Sequence, residues 1–130
     1  MTGNPEFGRQ VVFGRRQGHK LRPQRQALMR DLLPQIGIDL ENAADTIEPR
    51  ALFAPGTKEV WLEIGFGAGE HFAWQAARHP DIGFIGCEPY INGVATLLSV
   101  IERKSLTNIH IYSDDARDLL ENLAPASISK

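Results

Sequence analysis

Two textures divide the chain. From Glu59 onward, short apolar runs alternate with stretches whose apolar residues recur every three or four positions. "EVWLEIGF" predicts a buried strand, and "GEHFAWQAARH" a helix with Phe72, Ala73, Ala76 and Ala77 on one face, closed by Pro80. "IGFIGCE" predicts a second strand, and "NGVATLLSVIERK" a second helix turning Val94, Leu97, Leu98 and Ile101 inward. "NIHIYSDD" predicts a third strand, and "ARDLLENLA" a short helix up to Pro125. Strands and helices alternating over such short connections require parallel strands and right-handed crossovers. The expected class is α/β, the first half of a doubly wound parallel sheet. A half sheet of this kind exposes an edge and a helix-poor face.

Residues 1–58 lack that alternation. Residues 1–22, rich in Gly, Arg and Gln, predict an extended arm. "PQRQALMRDLL" places Pro23 at a first helical position and Ala27, Leu28 and Leu32 at helical spacing, which predicts one short amphipathic helix stopping before Pro34. Pro34, Gly37, Pro49, Pro55 and Gly56 mark residues 34–58 as a connector lying on the surface. The expected organisation is therefore a basic arm, helix and connector over residues 1–58 and an α/β domain over 59–130.

Charge sharpens the division. Residues 1–30 hold seven basic residues against Glu6 alone; of the chain's 14 basic and 16 acidic residues, the remaining hundred positions keep seven and fifteen. Such asymmetry fits a basic arm that meets a polyanion, or a solvated tail that aids solubility. No apolar run approaches the roughly 18 residues of a membrane span, and the N-terminus lacks the apolar core of a signal peptide, so the chain reads as cytoplasmic. The single Cys87 forms no internal disulfide, no Cys/His cluster has metal-ligand spacing, and His19, His71, His79 and His110 are scattered, so no metal is expected.

The chemistry concentrates in "LEIGFGAGE", Leu62 to Glu70. In a parallel sheet, ligands sit beyond the carboxyl ends of the strands, where Gly65, Gly67 and Gly69 let the backbone approach a ligand closely. Glycine also serves any tight strand-to-helix turn, so the loop alone is a weak signal. The spacing is G-x-G-x-G, not the G-x-G-x-x-G that receives a pyrophosphate at a helix N-terminus. Glu63 and Glu70 flank it with negative charge, which disfavours a diphosphate and suits a cation such as the sulfonium of S-adenosylmethionine. Glu70 also fits plain first-turn helix stabilisation. Glu88 follows Gly69 by 19 positions, a distance at which a carboxylate accepts both ribose hydroxyls. Asp114 and Asp115, ending the third strand, offer an acceptor for the exocyclic amine of adenine. Cys87 and Tyr90 border the site as packing groups, and Pro89 rigidifies the turn after Glu88.

"LEIGFGAGEHF", "FIGCEPYINGVATLL" and "NIHIYSDDARDLL", with the arm "GRRQGHKLRPQRQALMRDLLP" and "PRALF" before the first strand, resemble the bacterial tRNA (guanine-N7-)-methyltransferases from about Phe13 onward. That resemblance implies a Rossmann-like fold and methyl transfer from S-adenosylmethionine to a guanine in the tRNA variable loop. It also implies a cofactor site of Glu63, Gly65, Gly67, Gly69, Glu88, Pro89, Asp115 and Ala116, with Glu88 on ribose and Asp115 near adenine. Arg15, Arg16, Lys20, Arg22 and Arg25 of the arm then meet tRNA. The family's "PDPW" motif, with its functional aspartate and following basic residues, has no match here. No catalytic residue is therefore expected up to Lys130, and weak cofactor binding with little methylation is expected of this chain alone. Two other readings share these features: a fragment of a dinucleotide-dependent oxidoreductase, which leaves the arm unexplained, and a non-catalytic RNA-binding protein.

Overall fold

In the computed structural model, which describes residues 18–41, 46–124 and 127–129, the alternation from Glu59 folds as its periodicity requires. Strands β1 (Glu59–Ile64), β2 (Ile82–Cys87) and β3 (Ile109–Tyr112) form one parallel sheet in the order β1-β2-β3. Ile64 pairs with Cys87 and Cys87 with Tyr112, so the three strands end at one edge. The helices are α1 (Pro23–Asp31), α2 (Leu33–Ile36), α3 (Glu70–Arg78), α4 (Ile91–Lys104) and α5 (Ala116–Leu120), with a 3-10 turn at Pro49–Leu52.

Strand order that advances one way across a sheet puts successive right-handed crossovers on the same face, and α3 and α4 do share one. Phe72, Ala73 and Ala76 of α3 and Val94, Leu97, Leu98 and Ile101 of α4 pack there against Phe84, Ile109 and Ile111, joined by Leu28 of α1. Each large side chain fully buried there contributes about 1.5–3 kcal/mol. Ala77, expected on the inner face, is exposed, because the buried stripe of α3 is limited to Phe72, Ala73 and Ala76. Val60, Ile85, Cys87 and Tyr112 face the opposite way, onto Ala116 and Leu119 around α5. With both faces covered, β2 is buried over nearly its whole length. None of the described helices is long and apolar enough to cross a membrane.

Three expectations about residues 23–58 and the sheet are corrected. The helix ends at Asp31 but a second one begins at Leu33, with Pro34 in its first turn, where a missing backbone N–H costs nothing. Many of the connector's described residues are exposed, as expected of a surface segment, but it also joins the sheet. Gly37 bridges Ile111 in parallel, the Ile38 N–H donates to the Ile111 carbonyl at 2.8 Å, and Ile47 bridges Leu123. Ile47 and Pro49 are buried, and Ile38, Leu40, Leu52 and Phe53 pack against the second face of the sheet. These apolar residues, set between turn formers, cover the face expected to be helix-poor. His110 fastens them: Nδ1 lies 2.9 Å from the Ile36 carbonyl oxygen and Nε2 2.7 Å from that of Leu52, with the Phe53 ring edge-on at 5.0 Å. At the outer side of β1, the Ser129 N–H donates to the Val60 carbonyl at 2.8 Å, so residues 127–129 line that edge.

Candidate functional site

The chain leaves β1 through three glycines in the left-handed region: Gly65 at φ 73°, Gly67 at 65° and Gly69 at 82°. Side chains rarely adopt that conformation, so the loop needs glycine at all three. Gly69 is also the cap of α3, and a Cβ there would meet Leu97. Glu70 is the first residue of α3, the placement at which a carboxylate stabilises a helix N-terminus.

Glu88, just past β2 and 9% exposed, holds this loop in place. Its Oε1 accepts from the Gly67 N–H at 2.8 Å and its Oε2 from the Tyr90 N–H at 3.1 Å. Each carboxylate oxygen retains a second lone pair, so the group can hold the loop and still accept from a diol. Gly93, in the first turn of α4, packs so closely on Gly67 that a Cβ would run into the Gly67 carbonyl oxygen.

Asp115, 8% exposed, caps α5 by accepting from the Arg117 N–H at 3.1 Å and pairs with the Arg117 guanidinium at 3.0 Å. Asp114 accepts from the Asp115 N–H at 2.8 Å. Gly65, Pro89, Asp114, Asp115 and Ala116 line one hollow of ≈ 290 Å³ at the carboxyl edge, its wall completed by Cys87, Arg117 and the exposed side chains of Ile64 and Leu120. The structure thus brings together Gly65, Pro89, Asp115 and Ala116, with Glu88 and Gly67 bonded to each other beside them. Glu63 is not in this group. It lies within β1, half-buried, and lines a separate hollow of ≈ 190 Å³ with Trp61, Phe72, Gln75 and Phe84.

Of the arm residues, Arg15 and Arg16 lie outside the described residues. Lys20 and Arg22 are exposed, and Arg25 is half-buried with its Nη1 donating to the Thr96 hydroxyl at 2.8 Å. Pattern reading overlooked Gly93 and Asn92, taking "NG" only as a helix start. A glycine inside a helical pattern costs about 1 kcal/mol against alanine, and that cost was the available sign of close packing.

Cys87 is buried at the floor of the hollow, and desolvation, then the charge of Asp115, push its thiol up to about 12. A thiol raised from 9.0 in this way stabilises the fold fully below pH 9, a contribution lost as pH rises towards 12. Folded protein at pH 8 is expected to react with a thiol-specific disulfide reagent at least about 100-fold more slowly than protein unfolded in urea, since the thiolate is the nucleophile. Equal rates would mean that the floor opens freely.

A family described as "Putative methyltransferase" matches residues 57–130, the stretch that carries the sheet, the glycine loop and the carboxylates just described. The chain belongs to that methyltransferase family. Curated relatives extend the likeness across the basic arm as well. A tRNA (guanine-N(7)-)-methyltransferase of Rhodopseudomonas palustris is 49% identical over 95% of this chain and 49% of its own length. One of Nitrobacter winogradskyi is 45% identical over 99% of this chain and 50% of its own, and one of Chelativorans is 42% identical over 98% and 54%. This methyltransferase chain spans about half the length of the curated relatives it matches.

Proposed function

We propose that the glycine loop and the carboxyl edge bind S-adenosylmethionine as part of a tRNA (guanine-N7-)-methyltransferase. The observation that carries this reading is the pairing of Glu88 with Gly67 beside a hollow lined by Gly65, Pro89, Asp115 and Ala116. Buried carboxylates at the ends of two neighbouring strands are poor company for a diphosphate and good company for a cationic nucleoside. Glu88 would hold the ribose hydroxyls, Asp115 the adenine edge, and the loop backbone the amino-acid end. Glu63 belongs to the same site only through its place just ahead of Gly65.

Bound S-adenosylmethionine supplies an electrophilic methyl group on a sulfonium. Guanine N7 carries a free lone pair at neutral pH, so this chain need supply no strong base. Its residues would contribute binding of the cationic donor and alignment of its methyl group for in-line displacement. In this reading residues 59–130 form the cofactor part of a cytoplasmic enzyme. Residues 1–58 present Arg15, Arg16, Lys20, Arg22 and Arg25 to tRNA, with Arg25 acting mainly through its hold on Thr96. The identities of 42–49% to enzymes of that name support the substrate assignment.

Calorimetric titration of the folded chain with S-adenosylmethionine, S-adenosylhomocysteine and NAD tests the cofactor. Binding of both sulfur nucleosides and none of NAD is expected. Binding of NAD alone would overturn the reading in favour of a dinucleotide enzyme.

A further inference from the structure

The turn from Glu88 to Gly93 has two faces, and the second one holds the basic segment. Towards the glycine loop it presents the Glu88 carboxylate and the bare Cα of Gly93. Towards the N-terminal segment it presents Tyr90 and Asn92. The Asn92 carboxamide makes a two-point contact with that backbone: its Oδ1 accepts from the Gly18 N–H at 2.6 Å and its Nδ2 donates to the His19 carbonyl at 2.7 Å. Gly18 lies so close to the Tyr90 hydroxyl that a side chain there would collide with it. One turn further along α4, the Thr96 hydroxyl takes the Arg25 guanidinium while donating to the Asn92 carbonyl at 2.9 Å.

The linkage is short and continuous. Gly67 is bonded to Glu88, Glu88 to the Tyr90 N–H, and Asn92, two residues on, to Gly18 and His19. Lys20 and Arg22, both exposed, follow directly. A ligand that fixes the glycine loop fixes this turn, and a fixed turn holds the two cations in one orientation. A polyanion on Lys20 and Arg22 exerts the same influence in reverse, because binding linkage is reciprocal.

We propose that Asn92 is a positioning residue that couples the cofactor loop to the basic segment, so that nucleoside at the glycine loop and tRNA on Lys20 and Arg22 each tighten the binding of the other. The coupling rests on the methyl-donor reading above; the structural clamp does not. Energetically it needs only a modest effect, since typical couplings between sites amount to about 5-fold or more in affinity.

The test is a thermodynamic box on the whole chain. The dissociation constant of unmodified tRNA is measured with and without saturating S-adenosylhomocysteine, and that of S-adenosylhomocysteine with and without tRNA, at one fixed salt concentration. The unsubstituted chain is expected to show the same factor, about 5-fold, in both directions. Asn92→Ala is expected to reduce that factor to about 1 while each ligand alone still binds. Gly18→Pro, which removes the backbone N–H donated to the Asn92 Oδ1 and substitutes no residue of α4, is expected to lower the factor as well, and it decides the matter should Asn92→Ala not fold. A merely structural Asn92 would change both single affinities and leave the factor intact, which would overturn the proposal. Two ligands that bind the unsubstituted chain without mutual effect would overturn the coupling alone. A chain that binds neither would overturn the methyl-donor reading and the coupling together.

Discussion

Replacing Glu88 by alanine is expected to weaken S-adenosylhomocysteine binding by at least about 100-fold while leaving the chain folded. The two effects separate because the carboxylate's protein partners and its proposed ligand partners differ in exposure. Gly67 is exposed, so water can take over its N–H when the carboxylate goes. The Tyr90 N–H is half-buried and bears most of the structural loss. The stability cost is then about 2 kcal/mol, the scale of one or two lost charge-assisted hydrogen bonds partly replaced by solvent. A ribose diol loses two such bonds in a desolvated site and also loses the ordered loop, which together reach the larger figure. Glu88→Gln keeps an acceptor for one of the two N–H groups and should fall between, closer to the parent in stability than in affinity. Urea denaturation and calorimetry on the same preparations separate the two quantities. A Glu88→Ala variant that binds within about threefold of the parent would mean that the carboxylate serves the loop only, and the ribose role would go.

How far this site was legible in the sequence depended on whether a residue's work was local. The glycines of the loop announce themselves because a left-handed backbone admits little else, and the strands do so because a strand covered on both faces reads as a short continuous apolar run. The helices carrying Phe72, Leu97 and Leu98 were likewise fixed by spacing. The packing of residues 37–41 and 46–53 onto the sheet was missed for the opposite reason. Prolines and glycines mark where a chain turns, and say nothing of what it turns onto. Ile47 and Pro49 are buried and Phe53 half-buried against a sheet that begins only at Glu59, and His110 closes that arrangement from 58 residues beyond Leu52. The same limit applies to Asn92, whose partners lie 73 and 74 positions away. Glu63 shows the converse hazard: a position in a motif places a residue along the chain but does not say which hollow its side chain meets.

Gly93→Ala is expected to abolish measurable S-adenosylhomocysteine binding, against what helix propensity alone predicts. In an exposed helix interior the substitution gains about 1 kcal/mol, and Ser99→Ala, six residues further along α4, should show a smaller gain of that kind. At Gly93 the added methyl meets the carbonyl oxygen of Gly67 and lies about 3.0 Å from its carbonyl carbon. Something must move, and the exposed loop yields before a buried helix packed against Phe84, Ile109 and Ile111. Displacing Gly67 lengthens or breaks its bond to Glu88 and tilts the loop away from the hollow. Overpacking of this size costs about 1–3 kcal/mol, so after the propensity gain the net stability change lies between nothing and about 2 kcal/mol of loss. The decisive readout is therefore binding and not melting. Lost affinity in a protein of nearly unchanged stability would show that the loop's seat on α4, as much as its glycines, makes the site. Affinity equal to the parent's would show that the loop reaches its ligand without resting on Gly93.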